Sequence, residues 1–190
     1  PWSDVLELSR STERDLARGG VPDGVWVALL AGGQRLVGAP ISFADESLTW
    51  TTSFGEFVVP VSQLIAICRG SEVDAALADH PSRDTVVLAN GDELAGIVES
   101  IAADGVIITN GPTNSPKLDW DAVSMIKFAA VNGNAQDVAT DEGYLVRIVG
   151  GAVLAGRSVE FKSNQLQLSA VDATVRTVPV GSVLSIEHRN

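Results

Sequence analysis

Cysteine occurs once, at Cys68, in a chain of 190 residues, so no internal disulfide can staple the fold. In the run Leu64-Ile65-Ala66-Ile67-Cys68 it alternates with apolar neighbours and reads as a buried strand residue rather than a nucleophile. Histidine occurs twice, at His80 and His188, and neither has the local partner that a metal site or a general base needs. Lysine is scarce as well, with only Lys117, Lys127 and Lys162, and 24 acidic residues face 13 lysines and arginines for a net charge of −11. Such a field repels phosphate backbones, so nucleic acid is not an expected partner. The sole candidate basic surface is Arg147, Arg157, Lys162, Arg176 and Arg189, for which solvated, scattered charges are the preferred reading. No apolar run approaches the ~18–20 residues that span a bilayer, and no basic start followed by an apolar block opens the chain. The chain therefore reads as soluble, without membrane insertion. A start at Pro1 rather than Met suits an excised segment or a processed N-terminus from which a targeting signal has been lost. Catalytic motifs are missing too: no G-x-S-x-G elbow, H-E-x-x-H helix or phosphate loop occurs. Asp92-Glu93 beside Asn90-Gly91 looks like turn chemistry. Asp119 and Asp121 could share a strand face and bridge a cation, but a solvated pair flanking a buried Trp120 is the preferred reading. With no nucleophile, base and orienting group to assemble, neither an enzyme nor a cofactor is expected.

What the chain does have is glycine, 18 of them, in an ordered pattern. Asn90-Gly91-Asp92-Glu93-Leu94-Ala95-Gly96 is answered earlier by Gly32-Gly33-Gln34-Arg35-Leu36-Val37-Gly38 and later by Gly150-Gly151-Ala152-Val153-Leu154-Ala155-Gly156. In each, a second glycine follows the turn glycine by five residues. A large apolar residue comes twelve residues further on, at Trp50, Ile108 and Leu168. Val-Pro-Val-Ser-Gln-Leu-Ile (59–65), Leu-Asp-Trp-Asp-Ala-Val-Ser-Met-Ile (118–126) and Val-Pro-Val-Gly-Ser-Val-Leu-Ser-Ile (178–186) close the three units with one apolar spacing. Three landmarks in the same order point to an internal triplication.

Within the middle copy, Thr85–Leu88 is a β-rich run, Asn90-Gly91 signals a hairpin because both residues tolerate positive φ, and Leu94–Ile101 resumes the strand. Gly96, like Gly38 and Gly156, lies inside that second strand and marks a bulge, a bend or a close backbone approach. Asp104-Gly105 turns the chain into Val106–Thr109, and strands at Lys117–Trp120 and Ser124–Phe128 follow, split by a turn at Asp121–Val123. Five strands in about 45 residues suffice for one small barrel, not two sheets. The expected fold is thus all-β: three tandem five-stranded small barrels over 21–70, 84–130 and 143–190, linkers at 71–83 and 131–142, and a non-repeating segment 1–20. Ser3–Leu8 reads as the opening of a helix capped by Ser3 or, over Asp4–Leu8, as an edge strand, and Ser11–Arg18 as a helix. The first linker carries a short helical turn through Val73–Ala78, ended by Pro81. The expected core is Val86, Leu88, Leu94, Ile97, Ile107, Val123 and Ile126, with equivalents Val27, Leu29, Leu36, Leu48 and Leu64, and Val146, Ile148, Leu154, Leu166, Val183 and Ile186. Trp26, Trp50, Trp120 and Phe128 supply aromatic surface for core or inter-barrel packing and form the candidate interaction surface; a stacking platform for a sugar or base is the sharper alternative.

The middle copy, through Val86–Leu88, Asn90-Gly91, Gly96 and its apolar third strand, resembles the first sequence block of Sm-like proteins, whose fold is a bent five-stranded, SH3-like small barrel. It is still more similar to the "NGD-x-L-x-G" module of uncharacterised bacterial envelope proteins of planctomycete type. The Sm-like resemblance implies RNA binding through an Asp and an Asn flanking the third strand and an Arg-Gly or Lys-Gly after the fourth. The nearest matches are Asp45, Asp104, Asn164 and Arg69-Gly70, and no copy holds all three. The resemblance also implies that barrels associate by the fourth strand of one pairing with the fifth of the next; contacts between successive barrels are expected through sheet edges or packed aromatic faces. The expected function is a noncatalytic interaction or architectural module, part of a larger bacterial protein of the periplasm or exterior, with a protein partner or self-association through barrel edges. The alternative is an Sm-like nucleic-acid-binding protein in which three linked barrels form part of a ring.

Overall fold

A computed structural model describes residues 7–9 (backbone alone), 21–79, 81–111, 115–129, 143–170 and 174–189. These residues are all-β, antiparallel throughout, with one short helix and several single 3-10 turns. After β1 (Glu7–Ser9), the first segment contributes β2 (Trp26–Leu30), β3 (Gln34–Ala44), β4 (Ser47–Thr52), β5 (Gly55–Pro60) and β6 (Leu64–Arg69). Helix α1 (Val73–Leu77) lies where a helical turn is expected. The second segment contributes β7 (Asp84–Leu88), β8 (Glu93–Ala102), β9 (Gly105–Thr109), β10 (Lys117–Leu118) and β11 (Val123–Lys127). The third contributes β12 (Gly143–Ile148), β13 (Val153–Gly156), β14 (Ser158–Lys162), β15 (Gln165–Ser169), β16 (Val175–Pro179) and β17 (Val183–Arg189).

Within every segment the first strand pairs with both the second and the last: β2 with β3 and β6, β7 with β8 and β11, β12 with β13 and β17. The last strand is entered through a 3-10 turn, at Val61–Gln63, Trp120–Ala122 and Val180–Ser182. Turn chemistry sets the hairpins. Gly32, Gly33, Gly91, Gly150 and Gly151 all take positive φ at the first turn, and Asp45-Glu46 and Ser163-Asn164 both take positive φ at the next, the type I′ geometry that matches strand twist. Gly38, Gly96 and Gly156 are close approaches: a Cβ on them would lie 1.8 Å from the Thr51 carbonyl oxygen, 2.3 Å from that of Thr109 and 2.6 Å from Leu168 Cγ. Just past each glycine the long second strand shifts register (between Pro40 and Ser42, and between Val98 and Ser100) or breaks (between Gly156 and Ser158), which bends it.

One cluster of buried apolar residues runs through all three segments, and Trp50, Ile108 and Leu168, the residues twelve places past the repeated glycine, are all buried in it. Leu36, Leu48, Leu64, Val86, Val123, Ile126, Val146, Ile148, Leu154, Leu166, Val183 and Ile186 are core as expected, with Leu88 and Leu94 half-buried against them. Ile97 is a correction: it is 66% exposed. Period two from Leu94 aims Gly96 and Val98 inward, and the shift before Ser100 then turns Ile101 in. Ile107 is likewise displaced by its neighbours Val106 and Ile108, which face the core. Val27 and Leu29 are buried, but in a second cluster with Ala66, Cys68, Met125 and Ala76 of α1, so β2 is covered on both faces. Glu7–Ser9 takes the strand alternative; the helix expected over Ser11–Arg18 and the linker 131–142 lie outside the described residues.

Candidate interaction site

The three segments meet through strand pairings. Strand β6 pairs antiparallel with β11, with Ile67 opposite Ile126, Cys68 opposite Met125 and Ala66 opposite Lys127. Ile67 and Ile126 hold the same place in their segments, since each faces the middle of its own first strand, at Ala28 and Val86. Like therefore meets like, as across a two-fold axis. A second contact, Ser42 of β3 with Ala102 of β8, falls one residue either side of the equivalent positions Phe43 and Ile101, which suits the same axis. The third segment joins the first through Val153 of β13 and Arg35 of β3, again equivalent positions counted from the turn glycines.

Side chains seal the first joint. Trp26 and Trp120 meet edge to face, ring centroids 4.7 Å apart, and the Arg69 guanidinium stacks 4.0 Å from the Trp26 ring centroid. Arg69 also donates to the Gly24 carbonyl at 2.9 Å and the Trp120 carbonyl at 3.4 Å, while Trp120 Nε1 donates to the Ala102 carbonyl at 2.8 Å. An arginine so held presents a flat, weakly hydrated cation to an aromatic face, worth more than a lysine there. The joint of the first and third segments is polar. Gln34 Oε1 accepts from the Ala155 N–H at 3.1 Å and from Arg176 Nη1 at 2.8 Å, and Arg35 Nε donates to the Gly151 carbonyl. Burial lowers the Arg35 pKa from its ordinary value, with a smaller push from Arg147.

Of the four aromatics expected at an interaction surface, Trp26 and Trp120 are brought together between segments. Trp50 is fully buried within the first segment, its indole Nε1 unpaired, and Phe128 is 5% exposed in the core, so neither offers surface to a partner. Sequence reasoning missed Arg69 as part of the joint and Gln34 as its polar counterpart; neither carries a local signal, because their partners lie on other segments. The residues implied for an RNA site are dispersed. Asp45 and Asn164 sit in turns of different segments, Asp104 pairs with Lys117 at 2.5 Å on the surface, and Arg69 is spent on Trp26 and two carbonyls. That pairing lowers the Asp104 pKa and raises that of Lys117. Arg176 leaves the candidate basic patch, being buried at the joint. Asp119 precedes the 3-10 turn Trp120–Ala122 and Asp121 lies inside it, so the two do not share a strand face, and both are exposed. Burial pushes the Cys68 thiol up to about 12, with help from Glu72, so it is protonated at neutral pH. His188 rests against Tyr144, ring centroids 4.9 Å apart; His80 lies outside the described residues. A cleft of about 570 Å3 opens between Arg83, Asp84, Ile97 and Thr109, but the Asp84 carboxylate there already accepts from the Val98 and Ala129 N–H groups, both at 2.9 Å.

Compared with protein-family models, with curated proteins and with solved structures, the chain finds no match.

Proposed function

We propose that this chain is a noncatalytic interaction or architectural module built from three tandem Sm-like, SH3-like small barrels, part of a larger bacterial extracytoplasmic protein. The supporting observation is the strand pairing between segments: β6 with β11, β3 with β8 and β3 with β13 carry one 14-stranded sheet through all three. A barrel of about 45 residues is near the lower size limit for folding alone, so joints of this kind stabilise the units and fix their relative placement. Fixed spacing of similar units is what a scaffold supplies to a protein partner. The nucleic-acid reading has weaker support, because the cation nearest its expected site, Arg69, is engaged within the chain. Two measurements test the proposal. Calorimetry should show a single cooperative unfolding transition, and a labelled RNA single strand at low salt should not bind. Three separable transitions would refute the fixed scaffold, and tight binding that weakens steeply with salt would replace it with the nucleic-acid reading.

A further inference from the structure

The last strands of the first two segments pair with each other, and among the described residues the third segment's last strand, β17, has no last strand of another segment beside it. Its edge is instead covered by β1, with Leu8 opposite Ile186, Glu7 opposite Glu187 and Ser9 opposite Ser185. Ile186 faces Val146 in the middle of its first strand, as Ile67 faces Ala28 and Ile126 faces Val86, so the three isoleucines are equivalent. Strand β1 therefore sits on β17 centred on the residue where β6 and β11 centre on each other. A segment from outside the repeat takes the place of a last strand.

We propose that β17 is a docking edge for β17 of a second copy of this chain, and that β1 is a displaceable strap over it. The proposal rests on the scaffold reading above. The occupant follows from the β6–β11 joint, where equivalent residues meet in antiparallel register. Applied to two identical strands, that register gives a closed two-fold contact, Ile186 on Ile186 and Ser185 on Glu187 of the other molecule. Strand β1 offers three paired residues, the same number that β11 offers β6. A second β17 matches that pairing and brings the rest of its own segment to the contact, as the second segment does for the first. The strap thus holds the edge in dilute protein, and a second chain competes for it as concentration rises.

The test uses the full chain carrying Leu8→Pro, which removes the donor and constrains the backbone at the centre of β1. Sedimentation should show the variant shifting to dimer at concentrations where the unsubstituted chain stays monomeric. Hydrogen exchange should show those amides of 185–187 that point away from β12 protected in that dimer and exposed on dilution. A variant that stays monomeric overturns the proposal, whether β17 is exposed or remains protected. So does a dimer whose β17 amides exchange freely, because the contact then lies elsewhere. Leu8→Gly, which loosens β1 without deleting a donor, gives the same reading in graded form should the proline variant fail to fold. Failure here leaves the single unfolding transition and the absence of RNA binding untouched, so the two proposals fail separately.

Discussion

Placing a methyl group on Gly38 tests the packing logic of the fold at its tightest point. The ideal Cβ there lies 1.8 Å from the Thr51 carbonyl oxygen, against 3.4 Å for ordinary contact, and the obstacle is backbone, which cannot rotate away. Gly38 pairs with both Trp26 and Thr52, so relief means parting two ladders. Its φ of +158° is also costly for an L residue. Overpacking costs about 1–3 kcal/mol and a glycine-only backbone about 1–3 kcal/mol more, so Gly38→Ala should destabilise by about 2–6 kcal/mol. Gly96→Ala meets the Thr109 oxygen at 2.3 Å without an unfavourable φ and should cost about 1–3 kcal/mol. Gly181→Ala meets nothing within 4 Å and should be neutral or stabilise by up to about 1 kcal/mol through the unfolded chain. Urea unfolding with a common m-value reads the series directly. If Gly38→Ala falls within about 0.5 kcal/mol of the unsubstituted chain, the spread of measured surface substitutions, close approach is not why glycine stands there.

A double-mutant cycle on Trp26→Ala and Trp120→Ala should return a coupling of about 0.5–1.5 kcal/mol, and additive losses would mean the two rings do not stabilise the joint. Leu36→Ala, fully buried, should cost about 2–5 kcal/mol, whereas Ile97→Ala, 66% exposed, should stay within about 0.5 kcal/mol; equal costs would reverse the inward face of β8. Cys68 binds its proton more tightly folded (about 12) than at the ordinary value of 9.0, so the stability it contributes is intact below pH 9 and is lost as pH rises toward 12. Cys68→Ala should flatten that alkaline decline, and a disulfide reagent at pH 8 should react with the unsubstituted chain only after unfolding; rapid labelling of the native protein would contradict the burial.

The turns and bends were legible in the sequence because their causes are local. Asn90-Gly91 forms its hairpin with Gly91 at φ +87°, and Gly96 proves to be a close approach inside a strand. The turn expected at Asp121–Val123 is the 3-10 turn Trp120–Ala122. Which face a strand buries was less legible. Ile97 looks like core by composition, yet the pleat from Leu94 points it outward, and the shift before Ser100 is what restores Ile101. On β2 the expected Val27 and Leu29 are buried, but on the face covered by α1 and Met125, while Ala28 and Leu30 face the main core. The joints were legible only as a supply of aromatic surface. Nothing near Trp26 specifies Trp120, and fourth-to-fifth strand pairing was expected where last strand meets last strand.

That last difference decides what kind of assembly the chain permits. Fourth-to-fifth pairing joins unlike surfaces and repeats head to tail until a ring closes; contacts between equivalent residues consume the same surface on both sides and stop at two. Here both joints are of the second kind, one through last strands and one through the starts of second strands, so the segments run in the order third, first, second with an unlike edge left at each end. At the second segment's end the residue equivalent to Arg35 and Val153 is Glu93, which is exposed and next to Asp92. Two such edges meeting would set Glu93 directly opposite Glu93, a destabilising like-charge pair, so this end resists self-pairing. At the other end, β17 presents a self-complementary edge under β1. A chain with one guarded acceptor and one acidic edge can pair once and grow no further, so the dimer inferred for a displaced β1 should show no larger species as concentration rises. Replacing Glu93 with Val, the residue of the third segment, removes that acidic block: Glu93→Val combined with Leu8→Pro should sediment beyond dimer, whereas a combined variant that stops at dimer would show that charge at Glu93 is not what ends the array.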